Sequence, residues 1–150
     1  MQIALLNYFR FSSGGYCEPM LRLMNDETCD DELRFCCIRY FGKYRYEAAY
    51  RSLLYYADIR NPVRWEYAAI ASSVLSAYPS AESVEVLKAN LHHRNWYIRF
   101  NSSQSLEKMG LTYLDLIDIL EGEDRYASEI LRYRFDIRNL ISEEQEGAAV

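Results

Sequence analysis

The stretch from Asn95 to Gly110, NWYIRFNSSQSLEKMG, carries a complete helix in its residue order, and the same order recurs twice upstream. Ile98 heads an apolar face continued by Leu106 and Met109, Gly110 follows as a stop, and Arg99, Gln104, Glu107 and Lys108 fill the other side. Leu33 and Tyr67 are equivalent heads, with Phe41 and Leu75 eight positions later, Tyr44 and Tyr78 eleven later, and breaks at Arg45 and Pro79. The heads are separated by 34 and 31 residues, within the period range of helix-pair arrays. One such pair cannot cover its own apolar face, so a chain written this way stacks neighbouring pairs in order to fold.

Each unit supplies a second helix: Tyr46 to Ala57, Ala81 to His92 and Thr112 to Leu120. Tyr50, Leu53, Leu54 and Ala57 share a face of the first; Val84, Leu87 and Leu91 do so in the second, and Tyr113, Leu116, Ile117 and Leu120 in the third. Small residues let first helices approach closely, with Ala68, Ala69, Ala71, Ser72 and Ser73 in one unit and Ser102, Ser103 and Ser105 in the next. Upstream, Met1 to Phe11 reads as a short opening helix, Ser12 to Gly15 as a flexible break and Cys17 to Met24 as a helix. Asn25 to Asp31 reads as an acidic loop that supplies an N-cap. Downstream, Asp124 to Leu140 is a last helix with Tyr126, Ile130, Leu131 and Tyr133 or Arg134 at helical steps, placed to cap the open end of the stack. Ser142 to Val150 lacks periodicity and reads as a frayed acidic tail.

The expected architecture is therefore all-α, an alpha-alpha superhelix forming one domain over residues 1–150. It comprises an N-terminal helical segment at 1–30, three helix-pair repeats at 31–120, a capping helix at 124–140 and a tail at 141–150.

With 150 residues, half of them apolar, the chain has enough material for one continuous core. No apolar run approaches the roughly 20 residues of a membrane span, so no membrane insertion is expected and the chain is placed in the cytoplasm. MQIALL at Met1–Leu6 lacks a basic leader and reads as part of the opening helix, not as a signal peptide. A net charge of −5 disfavours nonspecific binding to phosphate backbones. The charge is lopsided, however: seven bases from Arg34 to Arg64 face only Glu47 and Asp58, and acids dominate from Glu107 onward.

Cys17, Cys29, Cys36 and Cys37 match no zinc spacing and read as small packing residues in a reducing compartment. His92 and His93, beside Arg94, read as basic groups at the carbonyl end of a helix dipole; no nucleophile or carboxylate can be placed beside them by spacing. Asp115 and Asp118 are three apart on one helix but bring no further ligands, so neither a metal nor another cofactor is expected. Fourteen tyrosines are many for this length, and tyrosine supplies stiff contact area at interfaces. Trp65 and Trp96, near the starts of first helices, are expected to pack between repeats, and nearby arginines to pair with carboxylates of the adjoining unit.

NWYIRFNSSQSLEKMG, and more weakly PVRWEYAAIASSVLSAYP and DDELRFCCIRYFGKY, resemble HEAT repeats, the helix pairs of armadillo-like alpha-solenoids. Asn95, Ile98, Arg99, Ser102, Leu106 and Gly110 match that family's pattern. The second unit departs from it, with Ala68 in place of the arginine and Tyr78-Pro79 in place of the glycine stop. The ending DRYASEILRYRF is similar to the final helix of small bacterial HEAT-repeat proteins, some attached to membrane-anchored chains.

The resemblance implies a noncatalytic scaffold whose second helices line a concave groove. Arg51, Ser52 and Tyr55, then Glu85, Lys88 and His92, then Asp115 and Asp118 would grade that groove from basic to acidic, and a protein or peptide of opposite gradient is the expected partner. Two alternatives from HEAT-like families are a DNA-repair type of nucleic-acid binder, using Arg51, Tyr55, Lys88 and Trp96, and a lyase or chaperone acting on a cofactor-bearing protein. The acidic total argues against nucleic acid, and no motif for the lyase is legible.

Overall fold

Asp30, Ser80, Asn95 and Asp124 each turn a side-chain oxygen onto the unpaired N–H groups of the helix that follows, which fixes where four of the helices begin. A computed structural model describes residues 15–149; the expected opening helix, Met1 to Phe11, lies outside them. Among the described residues there are eight α-helices and no strand. They are α1 (Cys17–Met24), α2 (Asp31–Lys43), α3 (Tyr50–Ala57), α4 (Trp65–Val74), α5 (Ala81–Asn90), α6 (Trp96–Lys108), α7 (Ile117–Leu120) and α8 (Arg125–Ala148). A 3-10 turn precedes α3 at Glu47–Ala49 and α7 at Leu114–Leu116, and another extends α4 at Leu75–Ala77. At the end of α6, Gly110 takes φ 79°, so the Leu111 N–H reaches the Leu106 carbonyl and the Gly110 N–H that of Glu107.

The helices pack in chain order. α2 lies against α4, α4 against α6 and α6 against α8, while α3 packs on α4 and α5, α5 on α6, and α7 on α8. All three repeat heads, Leu33, Tyr67 and Ile98, are buried, as are Phe41, Leu75 and Leu106 eight positions on. The small residues do what their size permits: Ala68, Ala69, Ala71, Ser72, Ser102, Ser103 and Ser105 are all buried where α4 meets its neighbours.

Backbone and side chains are tied across the same interval that separates the heads. The Ser105 hydroxyl donates to the Ser72 carbonyl, the Asn101 amide to the Ala69 carbonyl at 2.7 Å, and the Asn90 amide to the Ala57 carbonyl at 2.7 Å. Tyr78 fills the turn where its unit lacks a glycine. Its ring is buried, and its hydroxyl donates to the Phe41 carbonyl and accepts from the Tyr46 N–H, both at 3.0 Å. Among the buried polar side chains Ser72, Ser83, Ser103 and Ser105 meet partners, whereas Ser102 Oγ and Asn90 Oδ1 do not.

Three expectations need correction. Helix α8 runs to Ala148, not Leu140, because Ser142–Ala148 is composed largely of good helix formers that simply continue the turn. Its core-facing residues are Ala127 and Leu131, whereas Tyr126 and Tyr133 face outward at 69% and 56% exposure. A wheel anchored on Tyr126 falls one step off, because a tyrosine ring with its polar tip can face water as readily as the core. Likewise, of the expected face Leu116 and Leu120 are buried but Tyr113 and Ile117 are exposed, and Ile119 takes their place in the core, because a 3-10 turn at Leu114–Leu116 shifts the register ahead of α7.

Candidate functional site

Arg51, Glu85, Lys88, His92, Asp115 and Asp118, expected to face a partner, spend their charges largely on one another and on neighbouring turns. Arg51 meets Glu82 of the next second helix at 2.7 Å, Lys88 meets Asp118 of the one after at 2.8 Å, and Glu85 meets Arg60 at 3.3 Å. His92 Nδ1 lies 2.8 Å from Asp124 Oδ2. Asp115 accepts from the Thr112 N–H and hydroxyl, which closes the turn before α7. Tyr55 remains half exposed, beside Arg51, Ser52 and Asn25 in a shallow depression. The basic-to-acidic gradient is real in sequence, but in three dimensions each basic group sits beside the acid that follows it.

The same pairing absorbs much of the basic middle segment. Arg64 contacts Asp31 of the preceding unit and Glu66, and Arg60 clasps Asp58. Arg34 donates to the backbone carbonyls of Met24, Asp26 and Cys29 and to the Tyr67 hydroxyl, so it staples the acidic loop to α2. Tyr67 in turn donates to Asp31 at 2.5 Å; burial and this bond push its hydroxyl up to about 12, and the bond holds the Asp31 carboxyl below its usual range.

A different surface carries the exposed chemistry. Trp96 opens α6 directly after its Asn95 cap and is half exposed, with its ring stacked 4.7 Å from Phe100 one turn on. Behind Phe100 lies the guanidinium of Arg134, 4.3 Å from the ring centre, with its Nη1 3.8 Å from Glu107. The Trp96 edge meets Tyr97, whose ring stacks 6.0 Å from Trp65 of the previous repeat. So Trp65 does reach the next unit, through an exposed ring and not as core, whereas Trp96 stacks on rings of its own helix.

Across from this wall stand Tyr126, Ile130 and Tyr133 of α8, enclosing a cleft of about 500 Å³. It runs into a second hollow of about 370 Å³ lined by His92, His93, Arg94, Arg99, Asp124 and Tyr126. Arg99 and Tyr126 border both. The Arg99 guanidinium lies 5.5 Å from the Tyr126 ring and is held by Nη1 bonds to the carbonyls of His93 and Arg94 at 2.7 and 3.0 Å. Among the described residues neither Arg94 nor Arg99 pairs with a carboxylate. Asp124 is held by His92 and by the N–H groups of Tyr126 and Ala127, which together depress its carboxyl below the usual value.

The two histidines do not cap the carbonyl end of α5. His93 Nδ1 accepts from the Asn95 N–H at 3.0 Å, and burial with Arg94 and Arg99 nearby lowers its basicity, so the ring stays neutral and braces the α5–α6 turn. Chemically the cleft is bipartite, aromatic at one end and cationic at the other. The sequence puts Trp96 at a surface only in the nucleic-acid alternative, its main reading being packing between repeats, and does not mark Phe100, Tyr126 or Tyr133 as surface. The signal was present: on a wheel centred on Ile98, Trp96 and Phe100 fall one turn apart on the opposite side, where a helix with one buried face has no use for aromatics. Among the described residues no group of three or more histidines, cysteines or carboxylates is placed to hold a metal. No helix there is long and apolar enough to cross a membrane. No protein-family model matches the chain, and neither a curated protein nor a solved structure matches it.

Proposed function

We propose that this chain is a noncatalytic protein-interaction module built as a short HEAT-like alpha-solenoid, and that it grips a partner segment in the cleft between α6 and α8. The sequential packing of α2, α4, α6 and α8, and the bonds repeated at one-unit intervals, support the solenoid reading. The observation that carries the function is the contrast between two surfaces. The second-helix ladder is electrically closed on itself, whereas the cleft presents stacked aromatic rings next to two arginines that have no carboxylate partner among the described residues.

Such a pairing of stiff aromatic area with arginine is the composition of a binding hot spot. The segment it suits carries an apolar or aromatic side chain for the Trp96, Phe100 and Tyr133 end, and a carboxylate nearby for Arg94 and Arg99. In this reading the ladder residues Arg51, Lys88 and Asp118 hold repeat against repeat and tune the curvature on which the cleft depends. Burial of Cys36 and Cys37 as packing groups suits a reducing, cytoplasmic setting.

Selection from a random peptide library tests the assignment. The native chain should enrich sequences pairing an aromatic residue with an acid, and W96A or R99A should abolish that enrichment while R51E and K88E leave it in place. Enrichment that survives W96A and R99A but is lost with R51E would move the binding surface to the second helices.

A further inference from the structure

Trp65 and Trp96 hold the same place in successive units, each two positions ahead of the buried head, Tyr67 or Ile98. Their helices, α4 and α6, pack directly on one another, so the two indoles stand one helix spacing apart, about 8 to 10 Å. Tyr97 fills the interval. Its ring stacks on Trp65 and meets the edge of Trp96, and all three rings are exposed, at 45%, 51% and 58% for Trp65, Trp96 and Tyr97. The aromatic wall of the α6–α8 cleft therefore does not end at Trp96. It continues into a further hollow of about 330 Å³ where Trp65 and Tyr97 stand over Ala69 and Ile70 of α4.

The strip also carries unused donors. The indole N–H groups of Trp65 and Trp96 and the hydroxyls of Tyr97, Tyr126 and Tyr133 have no hydrogen-bond partner among the described residues. A partner that engages them brings backbone carbonyls not already bonded. A helix spends its carbonyls on its own N–H groups. A β-strand has them to offer, but its residues three apart point to opposite sides. A polyproline II segment leaves its carbonyls free and repeats its face every three residues, an advance of about 9 Å that matches the spacing of the two indoles.

Charge sorts the two ends. At the cleft, Arg94 and Arg99 have no carboxylate partner among the described residues and suit an acid. Over α4 the charges cancel: Glu66 is held by Arg64, and the exposed Glu32 and Arg39 on either side of the hollow are of opposite sign. An uncharged ring suits that end.

We propose that the partner segment is proline-rich and binds in polyproline II form, with one turn in the α6–α8 cleft, the next over Trp65, and an acid at Arg94 and Arg99. This rests on the cleft reading above and names what the cleft holds. A segment already stiff in its bound form loses little freedom on docking, which suits a shallow aromatic strip.

The probe is a short fluorescent peptide with aspartates at one end and proline at every third position, alanine between, made with the acids leading and with the acids trailing. One of the two orders should bind, and W65A should weaken it about 10-fold while keeping the parent's circular dichroism, since Trp65 lies outside the core. Shifting only the prolines beyond the first by one position should cost the native chain as much. In W65A that shift should cost nothing more, because both changes remove the same contact.

Three results would overturn the inference: neither order binds, W65A binds as the parent does, or an alanine-rich helical peptide with apolar residues seven apart binds better and depends equally on Trp65. The last would make the partner a helix. Library selection separates this inference from the cleft reading. Enrichment of an acid beside an aromatic residue that is lost in W96A but indifferent to W65A would sink the inference and leave the cleft standing. Absence of any enrichment would sink both.

Discussion

The Asn90 side-chain amide donates to the Ala57 carbonyl at 2.7 Å and to the Ser72 hydroxyl at 2.9 Å, and no part of Asn90 is exposed. One amide thereby ties the end of α5 both to the end of α3, the equivalent helix one unit earlier, and to α4. Replacing it by alanine leaves the Ala57 carbonyl buried and unsatisfied and opens a small void. N90A should lose about 2 to 4 kcal/mol of stability. Urea denaturation followed by circular dichroism measures it, and a loss below about 0.5 kcal/mol would mean that water replaces the bond.

Leu106 closes the apolar face of α6 and is fully buried, so L106A should cost about 2 to 5 kcal/mol with cooperative unfolding retained. Removal of the Tyr78 hydroxyl tests a narrower point. Y78F keeps the ring stacked 5.8 Å from Tyr50 but abandons the Tyr46 N–H and the Phe41 carbonyl, and should cost about 1 to 3 kcal/mol. Equal stability of Y78F and parent in the same denaturation assay would show that the hydroxyl is dispensable at that turn.

Acid should loosen the array before it unfolds any single helix. The carboxyls of Asp58, Asp118 and Asp124 are held below their ordinary value chiefly by hydrogen bonds from Arg60, Lys88 and His92 respectively. A depressed folded-state value means that the stabilisation is fully present above the unfolded value near pH 4 and disappears as pH falls through the lower folded one. Thermal midpoints should therefore begin to fall gently below about pH 6.5, where the unfolded chain protonates His93 and the folded one resists it, and fall steeply below about 4. D118N, which cannot titrate, should show a shallower fall; an identical profile would remove the Lys88 pairing from the explanation.

Cys37 is fully buried, and burial pushes its thiol up to about 12, so thiolate is scarce at neutral pH. Cys36 is buried beside it. Neither should react with an alkylating reagent in the native chain, and both should do so on denaturation, with mass spectrometry locating the label. Native labelling at Cys37 would mean that α2 opens locally from α1, where Met20 lies 4.0 Å away.

Duplex and single-stranded DNA should give no gel shift even at low salt. Cations that a basic groove would need are already paired: Arg51 with Glu82, Arg60 with Asp58, Arg64 with Asp31 and Lys88 with Asp118. Tight, salt-sensitive binding would instead favour the nucleic-acid alternative.

Residue order alone determined the helices and most of the core. The recurrence of Leu33, Tyr67 and Ile98, with Phe41, Leu75 and Leu106 behind them, marks buried positions because a helix repeats its face every 3.6 residues whatever surrounds it. Caps at Asp30, Asn95 and Asp124, and the stop at Gly110, are local chemistry and equally legible. What a helical period does not encode is which of two faces carrying rings will be covered. Tyr126 and Tyr133 look as apolar as Leu131, and only the packing of α8 on α6 left them outside and brought them opposite Trp96 and Phe100. Charge suffered the same limit: Arg51, Lys88 and Asp118 form a gradient when read along the chain and a set of closed pairs when folded, because ion pairing depends on distances between helices that are some thirty residues apart in sequence.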